Sequence, residues 1–368
     1  MIINLRSQTA LSGFYIVFEG STNLETPGIY GMSHLLEHLI FKSVDHLQED
    51  YDRSGLEYNA YTSGNSIVFY LQGLDNQVLK YKDQFLDLLL QFQITEEQLE
   101  MERQIVLSEY EDCFNEQSQN HQLNWSRKYL QDFDAIGLRE DLEKISIKDV
   151  KDFFDLQFSK PTRIINVSNS KPFVRPDIQF KTHELSKIYK FGNYNSILES
   201  GNSFKDKTSI IVSGPLVDEY SAYISYINSM LGHGLRSPLY DEIREKKGLV
   251  YFIHCYQNRL NKQGISLIST QTSNKKVPLV LDGIEKIIRN PDTYLTQDRF
   301  DLVKDYYSIK QEKNEILRYK NIDKWIEPNG SLISDILPTV SLNKIREIYD
   351  EFYNWDKFYV SIDKNDFK

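Results

Sequence analysis

Two apolar rhythms alternate along the chain. Phe14–Gly20 (FYIVFEG) and Thr208–Gly214 (TSIIVSG) are short runs rich in β-branched and aromatic residues and read as strands. Leu35, Leu36, Leu39 and Ile40 recur at helical spacing and predict a helix with one face turned to a core. Asn59–Ser63 and Ile67–Tyr70 flank a Ser-Gly-Asn turn and read as a hairpin. Thr95–Glu109 predicts another helix, opened by a capping box of Thr95 and Gln98, with Met101, Ile105 and Val106 marking its buried side. Ser146–Ser168 predicts a helix with apolar positions Val150, Phe153, Phe154 and Phe158, then a short strand through Ile165 and Val167.

Parts of this pattern occur twice. Ser146–Ser168 lies without a gap on Ser341–Asp363 at an offset of 195 residues, matching Val150 with Ile345 and Phe153 with Ile348. Phe154 then meets Tyr349, Phe158 meets Tyr353, and Ile165 and Val167 meet Val360 and Ile362. The FYIVFEG and TSIIVSG runs repeat at an offset of 194, and Gly55-Leu56 matches Gly248-Leu249 at 193. Matches at nearly one offset, in one order, indicate a duplicated unit of about 190 residues. Ser168–Lys207, with Pro172, Pro176 and the polar run Glu199–Ser203, reads as the linker. Strands grouped with intervening helices, without steady βαβ alternation, predict an α+β fold. The expectation is two similar α/β-sandwich domains, residues 1–175 and 176–368, joined by that linker.

Composition narrows the function. The 368 residues carry 40% apolar side chains and a net charge of −10, which excludes disorder and argues against an electrostatic nucleic-acid binder. With only Cys113 and Cys255, neither a disulfide framework nor a zinc site of several thiolates can be built, and the two thiols read as buried small residues. No apolar run is long enough for a membrane span and no secretory signal is visible. A cytoplasmic, reducing setting is expected.

The chemistry concentrates in Gly31–Phe41 (GMSHLLEHLIF). Helical residues four apart share a face, so His34 and His38 can send two imidazoles to one metal ion while Glu37 stands at the edge of that face. H-x-x-E-H is the inverted zincin pattern. Zinc held by two imidazoles takes a third protein ligand and leaves a position for water. Glu102 and Glu109, seven apart on the acidic helix, project the same way: one could ligate and the other orient a ligand. Without the histidine pair that helix is an ordinary solvated acidic face. The other histidines, His46, His121, His183, His233 and His254, have no ligand-spaced partner and read as structural or surface residues. At the repeat offset of 194, His34, Glu37 and His38 fall on Asn228, Leu231 and Gly232, so one Zn2+ per chain is expected.

Gly20-Ser21, Glu25, the Gly31–Lys42 segment, Asn59-Ala60-Tyr61-Thr62 and Glu102–Glu109 resemble, in order, the pitrilysin/insulinase/mitochondrial-processing-peptidase family of zinc metallopeptidases. The resemblance implies His34, His38 and Glu109 as zinc ligands, Glu37 as general base, and Glu102 as the supporting acid. It implies that the Asn59–Thr62 strand pairs with substrate backbone, where the bare residues give only a hairpin. Leu231–Tyr251 is similar to the family's C-terminal segment, whose Arg and Tyr seven apart contact substrate; Arg244 and Tyr251 fit. Read alone, that stretch is an amphipathic helix running into a strand. The implied function is zinc-dependent endopeptidase on peptides or unfolded segments, working as a homodimer with composite sites, or as a heterodimer. The rival is a catalytically silent structural or peptide-binding homologue.

Overall fold

The computed structural model describes residues 1–7, 9–42, 47–115, 117–130, 134–183, 207–217, 220–260, 263–317, 322–326 and 333–363. His46 and the linker run Glu199–Ser203 lie outside the described residues. Chain order begins β1 (Ile2–Arg6), β2 (Leu11–Glu19), α1 (Met32–Lys42), α2 (Gln48–Arg53), β3 (Glu57–Thr62), β4 (Ser66–Leu74) and α3 (Asp75–Leu90). It continues with α4 (Glu96–Asn115), α5 (Gln117–Leu130), α6 (Arg139–Leu142), α7 (Ile147–Gln157) and β5 (Arg163–Ser168). Then follow β6 (Lys207–Val217), α8 (Ser221–Gly232), β7 (Ile253–Leu260), β8 (Gln263–Ser273), α9 (Val277–Ile288) and α10 (Pro291–Tyr294). The last elements are α11 (Gln297–Leu317), α12 (Ile322–Ile326), α13 (Ile333–Ile336), α14 (Leu342–Phe352) and β9 (Tyr359–Asp363).

Two sheets result, with strand orders β1-β5-β2-β4-β3 and β7-β8-β6-β9. The series β5-β2-β4-β3 and β9-β6-β8-β7 are the same antiparallel arrangement, and β1 adds a parallel edge strand to the first. The α+β reading holds. Contacts divide the chain into two compact units: Met1–Asp112 with Phe133–Lys187 and Lys313–Pro328, and Cys113–Asp132 with Ile188–Glu312 and Asn329–Lys368.

In the first unit Phe14, Ile16 and Phe18 of β2 turn one way, into a core with the apolar face of α1, with Phe85 and Leu86 of α3, and with Val106 of α4. Tyr15 and Val17 turn the other way and pack with Ile165, Val167, and Ile322 and Ile326 of α12. In the second unit Ile210 and Val212 join α8, α9 and α14 in one core. The opposite face of β6 and β9 meets α5, whose buried His121 is 2.9 Å from both Ser209 Oγ and Ser361 Oγ.

The repeated helices start alike. Ser146 caps α7 in a reciprocal box with Asp149, and Ser341 caps α14 by accepting from the Lys344 amide. Gly55 and Gly248 both hold positive φ, +64° and +57°. The gapless match fails only at the strand. Ile165 and Val167 lie on the face covered by α12, whereas Val360 and Ile362 face the helical core. The connection from α14 to β9 is one residue longer than that from α7 to β5, and a one-residue slip exchanges the faces of a strand.

Two more expectations are corrected. Met101 and Ile105 are 50% and 42% exposed; the inward stripe of α4 is Leu99, Glu102, Arg103, Val106 and Leu107. Polar members of that stripe are paired, Arg103 donating to the carbonyls of Leu142 and Ile145, so an apolar count mistook the face. Cys113 and Cys255 are half-buried rather than buried. No described helix is long and apolar enough to cross a membrane.

His121 is held neutral, its pKa pushed down from 6.5 to about 3 by burial. The unfolded chain therefore takes up a proton that the folded unit refuses, and the contribution of this group is lost as pH falls from 6.5 towards 3. Acid titration of unfolding should show a shallower decline over that range in His121→Asn than in wild type.

Candidate metal centre

The position of α1 is fixed before any chemistry is considered. Met32, Leu35, Leu36, Leu39 and Ile40 are buried in the first core, which turns His34, Glu37 and His38 to the other side, half-buried. The approach to the helix is held by two carboxylates. Glu25 accepts from the amides of Gly31 (2.9 Å) and Ser33 (2.7 Å), and Asp141 accepts from those of Gly28 (3.1 Å) and Tyr30 (3.0 Å). Gly31 has φ +97° and faces Gly137; a Cβ on Gly137 would stand 2.3 Å from both N and Cα of Gly31.

Across from α1 runs α4, with Thr95 and Gln98 exchanging hydrogen bonds at its start as the capping box requires. Its two acids reach the same imidazoles. His34 Nε2 and His38 Nε2 are 3.2 Å apart, with rings nearly perpendicular at 87°. Glu109 faces both rings, its Oε2 3.5 Å from His34 Nε2 and its Oε1 3.7 Å from His38 Nε2. Behind it, Glu102 Oε2 is 3.4 Å from His38 Nδ1, and its other oxygen lies 3.9 Å from Lys42 Nζ. His34 Nδ1, by contrast, is buried with no hydrogen-bond partner among the described residues. His34, His38 and Glu109 form the three-donor group found among the described residues.

Electrostatics sharpen the arrangement. Burial, and then the neighbouring His38, press the pKa of His34 down to about 4, so this imidazole is neutral and offers a lone pair. Burial raises the pKa of Glu37, and the hydrogen bond from Thr62 Oγ1 at 2.8 Å partly opposes that rise. Two imidazoles and a carboxylate that approach each other this closely, with a shielded carboxylate alongside, can hold a cation and move a proton.

β3 is the edge strand of its sheet, paired with β4 from Glu57↔Gln72 to Thr62↔Ile67. Tyr58, Ala60 and Thr62 are half-buried while Glu57, Asn59 and Tyr61 are exposed, and Asn59 Oδ1 accepts from the Ala60 amide. The contact of Thr62 with Glu37 went unread in the sequence, where Thr62 belongs to the hairpin and to the strand expected to pair with substrate. Asp141 carried no signal at all, because its contact spans more than a hundred residues.

In the second unit, Tyr240–Glu245 is a π-helical turn, not the plain helix that the spacing suggests. Such turns recur at functional sites. It lays the Arg244 guanidinium 4.4 Å from the Tyr240 ring and 5.5 Å from the Tyr251 ring, and Tyr251 is 82% exposed. The residues at the repeated metal positions do other work: the Asn228 Oδ1 accepts from Ser266 and Tyr353, both at 2.6 Å. In α11, whose Thr296 accepts from the Arg299 amide as Thr95 does from Gln98, Val303 and Lys310 stand 201 residues after Glu102 and Glu109.

Two family profiles match the chain: insulinase (peptidase family M16) over residues 3–132, and the peptidase M16 inactive domain over residues 118–307. An uncharacterized zinc protease of Rickettsia felis is 22% identical over 355 residues, covering 87% of this chain and 85% of its own. A probable mitochondrial-processing peptidase subunit beta of Arabidopsis thaliana is 32% identical over 114 residues, covering 30% of this chain and 21% of that protein. Among solved structures, a protease from Helicobacter pylori shares the fold with a TM-score of 0.81 at 15% identity, covering 99% of this chain and 96% of that one.

The seat of α1 is open to a direct stability test. Gly137→Ala meets both a φ of +67° and the Gly31 backbone, and should lower unfolding free energy by about 2 kcal/mol or more. Gly55→Ala, with φ +64° and nothing within 4 Å, should cost only about 1 kcal/mol in the same urea titration.

Proposed function

Because the chain belongs to the insulinase family of peptidases, family M16, we propose that it is a zinc-dependent endopeptidase acting on peptides or unfolded segments. The observation that carries the reading is the convergence of His34, His38 and Glu109. The two Nε2 atoms are 3.2 Å apart, one Glu109 oxygen is 3.5 Å from His34 and the other 3.7 Å from His38, and one donor atom from each residue lies within 4.8 Å of the others. A tetrahedral zinc ion with bonds of about 2.0–2.1 Å separates its donors by about 3.3 Å, which the two imidazole nitrogens match and to which Glu109 can bring either oxygen. The neutral state of His34 and the Glu102 carboxylate behind His38 support the same assignment. Lys310 at the repeated position of Glu109 argues for one zinc per chain.

When bound, the ion supplies Lewis acidity that polarises a peptide carbonyl and lowers the pKa of water. Glu37 accepts the proton of the attacking water and delivers it to the departing amine as the C–N bond breaks. Thr62 holds Oε2 of Glu37, which leaves Oε1 to receive that proton. Glu102 holds His38 through Nδ1 and so directs Nε2 at the ion. Substrate adds as a strand along Asn59-Ala60-Tyr61-Thr62, which makes main-chain bonds the basis of affinity; Asn59 gives up the Ala60 amide as it docks. Arg244 and Tyr251 are assigned to substrate and to the developing oxyanion of a second copy, in a homodimer with composite sites or a heterodimer with a related chain. The setting we propose is the cytoplasm, in keeping with a sequence of only two cysteines.

A silent homologue is the second reading, favoured by the inactive-domain match. That match covers residues 118–307, the copy in which Asn228, Leu231 and Gly232 replace the donors, and leaves Glu37 and its neighbours outside.

Purified protein should carry about one zinc per chain by metal analysis and cut a mixed peptide library, with sites read by mass spectrometry. Glu37→Gln should keep the zinc and lose between about 10²- and 10⁴-fold in rate. Zinc-loaded wild type that cleaves nothing, with Glu37→Gln binding peptides equally well, would establish the silent reading. Mixing Glu37→Gln with Tyr251→Phe chains should restore part of the activity; no recovery rules out composite sites.

A further inference from the structure

The residue that holds the beginning of α1 has no part in the mechanism above. Glu25 is only 9% exposed, and each of its oxygens takes one amide, Oε2 that of Gly31 and Oε1 that of Ser33. The helix brings no acidic side chain of its own into its first turn. Its amino end therefore carries the uncompensated positive charge of a helix terminus, on the order of half a unit. His34 is in that first turn and His38 in the next. A divalent cation held by these imidazoles lies close to a positive pole, which opposes it.

We propose that Glu25 is a positioning residue for the metal, supplying the buried negative charge that cancels the amino-terminal pole of α1 while fixing the turn that carries His34. The proposal rests on the zinc reading of His34, His38 and Glu109. Asp141 is the natural comparator. It takes two amides from the same segment, but those of Gly28 and Tyr30, before the helix begins, so it anchors the segment without facing the pole. A carboxylate that were merely a cap would stabilise apo and zinc-bound protein equally. One that offsets charge separates the two states.

The experiment compares wild type, Glu25→Gln, Glu25→Asp and Asp141→Asn as full chains, without and with zinc. Zinc affinity is read by competition with a chromophoric chelator, and stability by thermal unfolding. Glu25→Gln keeps the size and one acceptor but loses the charge, and its zinc affinity should fall by about 3- to 30-fold. The upward shift of its melting temperature on adding zinc should shrink with it. Glu25→Asp keeps the charge and should retain more zinc affinity than Glu25→Gln, even where its apo form melts lower. Asp141→Asn should lower the apo melt and leave the zinc increment in place. Unchanged zinc affinity in Glu25→Gln, or equal losses in Glu25→Gln and Glu25→Asp, overturns the proposal by itself. A wild type that takes up no zinc overturns the underlying site reading with it. If Glu25→Gln does not fold in plain buffer, it is measured with a stabilising osmolyte beside Asp141→Asn under the same conditions, and zinc affinity as high in Glu25→Gln as in Asp141→Asn overturns the proposal.

Discussion

The centre depends on a single constraint: α1 is anchored by one face and so cannot move its other face away from an unfavourable set of neighbours. Five apolar side chains on that helix enter the core, each stabilising by roughly 1.5–3 kcal/mol when fully buried. On the opposite side two imidazoles and the carboxylates of Glu37, Glu102 and Glu109 share a confined space, with the Lys42 ammonium beside Glu102. Left to itself such a set would spread apart. The apolar anchor, the amides held by Glu25 and Asp141, and the Gly31–Gly137 contact deny it that freedom. Preorganisation of this kind is what the proposed zinc site would draw on.

The second copy shows what the same architecture looks like once that demand is gone. Its equivalent helix, α8, is buried on more of its surface, including Tyr226, Asn228 and Leu231. Asn228 sits among hydroxyls that satisfy its oxygen, a closed polar node instead of an open one. Val303 and Lys310 replace the two acids, so the acidic stripe of α4 has no counterpart. Since sheet order and helix caps persist without the donors, the fold does not need the centre; the centre needs the fold.

Local chemistry was legible in the sequence wherever spacing alone decides an outcome. Four residues along a helix bring His34 to His38, seven bring Glu102 and Glu109 to one side, and Thr95 with Gln98 starts the helix that carries them. Reading failed where the answer lies in a distant partner. Glu102 and Arg103 turn inward because His38 and the carbonyls of Leu142 and Ile145 await them, which pushes Met101 and Ile105 out. The face of β9 depends on one extra residue in the loop before it, and no alternation within the strand reveals the slip. The π-helical turn before Tyr251 is equally silent, since its residues are ordinary helix formers.

The duplication and the compact units also part company, for a physical reason. A cut after residue 175 follows the repeat, but each sheet has two apolar faces and each half of the repeat supplies helices chiefly for one. The second face of β2 and β5 is closed by Ile322 and Ile326 of α12, with Arg163 donating to the Ile326 carbonyl at 3.2 Å. The second face of β6 and β9 is closed by α5, locked through His121 to one serine on each strand. Each closing helix therefore comes from the other half of the chain. Tyr15, Val17, Ile165 and Val167 would face water without α12, a contiguous apolar area of the sort that drives association. The first half alone is thus an incomplete sandwich, and the second half is bound to it by folding as well as by ancestry.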